Sequence, residues 1–174
     1  MRRFTTLVLA VVYVLAQAAC RSHSSDAKLQ NWFWLHSSEF KELLTLAQSD
    51  SAITVQPKSL TIEFEPGRLQ TFMIRDDSEL PTGVSRERWH KYQKLLSSLR
   101  VGTLYKDKQR VMFQMDEPGI LNGDSQKGVL YSQKNQPSRQ SLDGLTAADL
   151  RTSSCEATKK IQDGWYLYLS YSCN

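Results

Sequence analysis

Apolar side chains in the first part of the chain recur with the period of a helix. Between Leu29 and Ala47 they are spaced three to four residues apart, so one face of a helix would be apolar. Ser37 and Ser38 divide this stretch, and serine is a residue type that caps helix N-termini. The pattern therefore predicts a helix, or a pair of helices, that ends near Asp50.

A second stretch with the helical period lies in the middle of the chain. Ser85 is a capping residue, and the apolar positions that follow it up to Arg100 form one stripe. Gly102 comes shortly after this stretch and is predicted to end the helix. Basic residues occupy much of the remaining helix surface: Arg86, Arg88, Lys91 and Lys94.

Period-two alternation predicts β-strands between and after the helices. From Leu60 to Glu65 apolar side chains alternate with polar ones, and Pro66-Gly67 supplies a turn to a partner strand over 69–74. Further short strands are predicted over 53–55, 103–105, 110–115 and 128–132.

The C-terminal segment is the clearest predicted hairpin. Two strands, 155–162 and 165–173, flank the dipeptide Asp163-Gly164, which favours the positive φ of a tight turn. Tyr166 and Tyr168 share one face of the second strand, and the other face carries a tryptophan and two leucines.

These elements together predict an α+β fold, with a mainly antiparallel sheet and two or three helices packed on it. The predicted domain covers 28–174, which is a usual size for one domain with one core. Residues 1–19 and 20–27 differ from it in composition and are predicted to be a signal peptide and a polar tether.

The start of the chain has the three parts of a secretory signal peptide. Arg2 and Arg3 are followed by a twelve-residue apolar core from Phe4 to Leu15, and small residues precede Cys20. The apolar core is shorter than the ~20 residues that a membrane-spanning helix needs. We therefore expect the protein to be exported from the cytosol.

The segment Leu15-Ala16-Gln17-Ala18-Ala19-Cys20 resembles the lipobox of bacterial lipoproteins. The resemblance implies an acylated Cys20 (palmitate or a related acyl group) as the mature N-terminus. Because Arg21 rather than Asp follows, it also implies an outer-membrane lipoprotein that faces the periplasm. Gln17 departs from the aliphatic residue usual at its position. The rival prediction is cleavage after Ala18, which gives a soluble periplasmic or secreted protein.

The cysteine count fits an oxidising compartment. Besides Cys20 the chain has two cysteines, Cys155 and Cys173, and such a pair in an exported chain most often forms a disulfide. A two-residue turn would place Cys155 opposite Ser172, so the bond requires a bulge, an odd-length turn or a frayed end. We predict the bond, since closing a loop of roughly 17 residues contributes about 3 kcal/mol.

The charge of the chain excludes nucleic acid as a partner. The 22 basic and 18 acidic residues give a net charge of +4. Residues 1–19 contain two arginines and no acid, so the rest carries 20 basic against 18 acidic residues, a net +2. Nucleic-acid binding needs a clustered excess of cations. The candidate partner-binding residues are Arg86, Arg88, Lys91, Lys94, Tyr166 and Tyr168, with a solvated helix face and sheet core as the alternative.

The sequence contains no recognisable catalytic or metal-binding pattern. Its three histidines and three cysteines do not occur at ligand spacing, and no serine lies in a Gly-x-Ser-x-Gly motif. Glu63, Glu65 and Asp116 are the carboxylates available to a hydrolase, although such residues more often form the solvated side of a strand or loop.

These features predict a lipid-anchored cell-envelope protein that binds an envelope partner as an inhibitor, immunity or similar module. No cofactor, metal or enzymatic activity is expected for such a protein. Two alternatives stay open. The first is an envelope hydrolase that acts on peptidoglycan or glycan, and the second is a small carrier with an apolar cavity for a lipid or other ligand.

Overall fold

A computed structural model describes residues 26–115, 125–134, 140–141 and 155–171. The helices are α1 (Asp26–Leu35), α2 (Ser37–Gln48) and α3 (Arg86–Leu99), with a short 3-10 helix at Asp77–Glu79. The strands are β1 (Ala52–Gln56), β2 (Ser59–Glu65), β3 (Arg68–Met73), β4 (Val101–Lys106), β5 (Arg110–Met115), β6 (Ser125–Ser132), β7 (Gln140–Ser141), β8 (Cys155–Gln162) and β9 (Trp165–Tyr171). No helix in these ranges is long and apolar enough to cross a membrane.

All nine strands belong to one sheet, in the order β3-β2-β1-β4-β5-β6-β9-β8-β7. The two-residue strand β7 pairs in parallel with β8, and the other neighbouring pairs are antiparallel. The predicted α+β fold, a mainly antiparallel sheet with helices packed on it, is therefore confirmed.

The ends of the helices show where local sequence decides the structure. Ser85 caps α3 as predicted, since its Oγ accepts a hydrogen bond from the Arg88 N–H at 3.2 Å. The prediction that Gly102 ends this helix was wrong. Arg100 ends it in the left-handed conformation, with φ of 55°, because β4 begins at the next residue. The break between α1 and α2 falls at His36, and α1 begins at Asp26, inside the predicted tether.

The three helices cover one face of the sheet and form the main core with it. Aromatic rings dominate its centre. Phe33 and Phe40 from the helices contact Phe113 of β5 and Trp165 of β9, with ring centroids 5.1–6.2 Å apart. Such pairs add to the free energy gained from burying the rings. We call this side of the sheet the helix face.

The opposite side of the sheet, which we call the open face, carries a smaller cluster. Leu130, Tyr166 and Tyr168 are buried there, and Met112 packs against them. Trp165 and Leu167 belong to the main core, so alternate residues of β9 pack on opposite faces, as the period-two pattern predicts.

The sheet curls toward its open face. Arg110 of β5 pairs with Ser132 of β6, whereas Glu156 of β8 is connected through β9 to Gln126 of β6. The two residues are therefore three strands apart and six residues apart along the strands. In a flat sheet they would be separated by about 20 Å along the strands and about 14 Å across them. The Arg110 Nη1 and Glu156 Oε2 atoms are nevertheless 3.6 Å apart. The open face is therefore concave.

The register of the C-terminal hairpin differs from simple counting. Gln162 pairs with Trp165 as predicted, but a bulge before Gln162 brings Cys155 opposite Tyr171 rather than Ser172. The predicted disulfide requires a bulge, an odd-length turn or a frayed end, and the hairpin contains the first of these. Cys173 lies outside the described residues, as do the predicted signal peptide, Cys20 and Asp116. The disulfide and the lipidation therefore stay predictions.

Candidate functional site

A cleft of about 240 Å³ lies on the concave open face. Four strands in the interior of the sheet, β4, β5, β6 and β9, supply its walls. The lining residues are Thr103, Tyr105, Met112, Gln114, Gln126 and Tyr168.

Strand pairing explains why these side chains meet. Tyr105 of β4 pairs with Met112 of β5, and Gln114 of β5 pairs with Gly128 of β6, which in turn pairs with Tyr168 of β9. Gln126 of β6 belongs to the next row, since it pairs with Ser170 of β9. Paired residues of antiparallel strands project on the same side of a sheet, so three adjacent rows of open-face residues converge on the cleft.

Gly128 leaves the space that the Tyr168 ring occupies in the wall of the cleft. A Cβ atom at Gly128 would lie 2.1 Å from the Phe113 carbonyl oxygen and 2.8 Å from Cε1 of Tyr168. The tyrosine ring therefore lies over the glycine, where any larger residue would displace it. Burial of this ring raises the pKa of the Tyr168 hydroxyl above its ordinary value.

The lining of the cleft is uncharged but rich in hydrogen-bonding groups. The two glutamine amides each supply a donor and an acceptor, and Thr103 Oγ1 accepts a hydrogen bond from Gln56 Nε2 at 3.1 Å. Tyr105 is 38% exposed and presents part of its ring to solvent. The site is suited to neutral polar groups and to flat apolar surfaces.

Tyr166, the other tyrosine of the predicted pair, lies in the same open-face cluster but does not line the cleft. Its hydroxyl is buried, and within the described part of the chain no group forms a hydrogen bond with it. The structure therefore brings Tyr166 and Tyr168 together on one surface, as the alternation in β9 predicts.

The predicted basic surface lies on α3, which covers the helix face and not the cleft. Three of its four cations pair with carboxylates of the same chain. Arg86 contacts Asp77 at 2.9 Å, Arg88 contacts Asp50 at 3.2 Å and Lys91 contacts Glu42 at 2.8 Å, whereas Lys94 is exposed. This pairing reduces the net positive charge of the helix surface, and its partner-binding role stays a prediction.

Glu63 and Glu65, the carboxylates considered for a hydrolase, contact residues of the turn between β2 and β3. Glu63 Oε1 accepts a hydrogen bond from the Gly67 N–H at 2.7 Å, and Glu65 lies 3.7 Å from Arg68. Both therefore stabilise the connection between β2 and β3, at the end of the sheet remote from the cleft.

A Ser–Glu–His group lies where α1 and α2 meet α3. Ser98 Oγ donates to Glu39 Oε1 at 2.6 Å, and His36 contacts the other carboxylate oxygen. The hydrogen bond from Ser98, followed by that from His36, lowers the pKa of Glu39. The carboxylate separates the hydroxyl from the imidazole, so His36 is not placed to take the serine proton as a catalytic base does.

No group of three or more metal-binding side chains occurs in the described ranges. His90 Nε2 contacts Asp77 at 2.9 Å on the surface of α3, and Asp77 also binds Arg86. This arrangement forms a surface ion-pair network.

Sequence reasoning identified Tyr168 but missed five of the six lining residues: Thr103, Tyr105, Met112, Gln114 and Gln126. Polar residues that alternate with apolar ones look like an ordinary solvated strand face. One local signal was available, because a glycine inside a strand often marks a close approach by another group, as Gly128 does.

No protein family matches the chain, and no curated protein or solved structure is significantly similar to it.

Proposed function

We propose that the protein is an exported, lipid-anchored cell-envelope protein that binds a partner protein in the cleft on its open face and does not catalyse a reaction. The observation that carries this proposal is the cleft itself. It is a concave, uncharged site with aromatic and amide walls, on the side of the sheet opposite the described helices. Aromatic side chains and hydrogen-bonding groups of this kind are common in protein–protein interfaces.

The cleft favours a protruding loop or side chain of the partner over an extended strand. The strands β4, β5, β6 and β9 each have a neighbour on both sides, so their backbone groups are already paired. A peptide therefore cannot bind there by adding a strand to the sheet. It would contact the glutamine, threonine and tyrosine side chains, which accommodate uncharged polar and aromatic groups.

The two alternative functions receive less support. A lipid carrier needs an enclosed apolar cavity, but this cleft is open, its volume is below the ~300 Å³ of small ligand pockets, and acyl chains would bury its amides unpaired. A hydrolase that uses Glu63 would have to release this carboxylate from the turn that it caps.

The envelope location rests on the sequence. The predicted signal peptide and the lipobox-like segment that ends at Cys20 support a mature protein on a membrane surface facing the periplasm, and the predicted disulfide suits that compartment. Palmitate labelling of the wild type and Cys20→Ser tests the anchor. Label in the wild type that is lost in the variant supports it, and an unlabelled wild type contradicts it.

The binding role is tested by purifying complexes from envelope extract with the wild type and Gln114→Glu. A charge in the uncharged cleft should weaken a specific 1:1 complex at least about tenfold, since an unpaired charge is costly to bury. Gln70→Glu, an exposed glutamine of β3, is the matched control and should leave the complex intact. A complex that survives Gln114→Glu contradicts the proposal. Loss of glycan turnover in Glu63→Gln would favour the hydrolase, and co-purified lipid would favour the carrier.

A further inference from the structure

The first helix exposes apolar side chains where a solvent-facing helix is normally polar. Trp34 is 47% exposed and Leu35 is 78% exposed, although both follow directly after the fully buried Phe33. Leu29 and Phe33 of the same helix lie in the core, so the exposure belongs to one side of α1.

Helix geometry assigns the exposed residues to a single face. At 100° per residue they occupy an arc of about 120°, opposite the direction in which Leu29 and Phe33 pack on the core. None of the exposed residues is acidic. We call this surface the outer face of α1, and its residues are Ala27, Lys28, Asn31, Trp34 and Leu35.

Contacts at both ends fix α1 on the rest of the domain. At its start, Asp26 Oδ1 accepts a hydrogen bond from the buried Lys127 Nζ at 2.7 Å, which ties the helix to β6. At its end, Trp32 Nε1 donates to the Leu99 carbonyl at 3.2 Å, and the Arg100 guanidinium lies over the Trp32 ring. The outer face therefore has a fixed direction relative to the sheet.

The predicted anchor lies close to this face. Five residues, 21–25, separate the acylated Cys20 from the start of α1 at Asp26, and the six steps between Cys20 and Asp26 span at most about 20 Å. Trp34 lies about 12 Å further along the helix axis. A surface held this close to a bilayer has a high effective concentration there, so even a small apolar patch can bind lipid.

We propose that the outer face of α1 rests on the surface of the membrane into which the acyl chains of Cys20 insert. This inference rests on the anchor of the proposed function. The occupant fits chemically, because tryptophan and leucine partition into the interfacial region of bilayers and the face presents no carboxylate to repel anionic head groups.

This contact would also orient the binding site. The inner side of α1 packs on Trp165 at the helix face of the sheet, and the cleft lies on the other side of the sheet. Membrane, helix, sheet and cleft then follow one another in that order. The cleft therefore points away from the bilayer, where a partner in the periplasm can reach it.

Fluorescence quenching by brominated phospholipids tests this arrangement. The full-length acylated protein, with acylation of Cys20 verified by mass spectrometry, is placed in phosphatidylethanolamine–phosphatidylglycerol vesicles with and without brominated chains. Trp34 is exposed, Trp32 is partly buried and covered by the Arg100 guanidinium, and Trp89 and Trp165 are buried, so Trp34→Phe should remove most of the lipid-dependent quenching. Leu69→Trp in the Trp34→Phe background is the matched control and should not restore it, because Leu69 is 56% exposed on β3, six strands away from β9.

The outcomes separate this inference from the proposed function. Quenching that depends on Trp34 and is not restored at position 69 supports the orientation. Quenching unchanged by Trp34→Phe in the acylated protein, or equal quenching from position 69, overturns the orientation and leaves the anchored binding protein in place. A mature N-terminus without acyl chains overturns the anchor and the orientation together.

Discussion

The two faces of the central sheet are formed by the same strands but present different kinds of side chain. On the helix face, phenylalanine and tryptophan rings from two helices and two strands pack against one another and are almost completely buried. On the open face the aromatic side chains are tyrosines, and glutamines and a threonine lie beside them. The first surface is suited to hold the fold together, and the second is suited to contact another molecule.

Strand β9 shows how closely the two roles are joined. Trp165 and Leu167 enter the main core, whereas Tyr166 and Tyr168 project to the open face. Because successive residues point in opposite directions, the open face can change without removing an atom from the main core. Substitutions on the two faces should therefore separate stability from binding.

The largest effect on stability is expected on the helix face. Phe113→Ala removes a fully buried ring that contacts Phe40 and Trp165, and should lower the free energy of unfolding by about 3–5 kcal/mol. Leu69→Ala, at an exposed position, should change it by less than about 0.5 kcal/mol. Urea denaturation measures both, and similar losses for the two variants would remove the distinction between the faces.

Gly128→Ala should disturb both faces, because the added Cβ meets the Phe113 carbonyl and the Tyr168 ring. We expect a loss of about 1–3 kcal/mol, typical of overpacked sites, together with weaker partner binding as the tyrosine ring is displaced. Denaturation and partner capture are measured on the same preparation. Full stability and full binding would show that the close approach at this glycine is unimportant.

Asp107 holds the Arg110 side chain, which also contacts Glu156 across the open face. Burial favours its neutral form, but hydrogen bonds from Gln109 and Arg110 outweigh this and lower the pKa of Asp107. Asp107→Asn should cost about 1 kcal/mol at neutral pH.

The pH dependence of that loss has a defined sign. A carboxyl group with a lowered pKa in the folded state stabilises the protein above its ordinary pKa of about 3.9, and this contribution disappears as the pH falls through the folded-state value. The difference in stability between Asp107→Asn and the wild type should therefore shrink below about pH 4. A difference that stays constant from pH 7 to pH 3 would contradict this account.

The smallest effect is expected for Tyr166→Phe. The Tyr166 hydroxyl is buried, and no hydrogen-bond partner for it exists among the described residues. Removing it relieves an unsatisfied polar group, so stability should stay unchanged or rise by up to about 1 kcal/mol. A loss of more than about 1 kcal/mol in thermal or chemical denaturation would mean that the hydroxyl forms a bond that stabilises the fold.

Local patterns in the sequence predicted much of the fold. The helix cap at Ser85, the Asp163-Gly164 turn and the two faces of β9 each depend on a few neighbouring residues. The extent of α3 up to Arg100 was also predicted. The residue that terminates it was not, because a left-handed arginine is an unusual helix terminus and Gly102 offered the ordinary one.

The cleft was less predictable because it depends on the curvature of the sheet. The rows that bring Tyr105 beside Met112 and Gly128 beside Tyr168 require the order of strands that are distant in sequence. The bulge in β8, which shifts the register of Cys155, has no strong local signal. Tyr168 was found from its alternation, whereas Gln114 and Gln126 could be recognised only once the strands were placed.

Site-specific photocrosslinking in living cells tests most directly whether the cleft is the binding site. The photoreactive residue p-benzoylphenylalanine is introduced in place of Tyr105, which lines the cleft, or of Leu69, which is exposed on β3. We predict one defined protein adduct from position 105 that is lost when Gln114→Glu is added, and no such adduct from position 69. No adduct from the cleft, or the same adduct from both positions, would contradict the assignment of the cleft as the binding site.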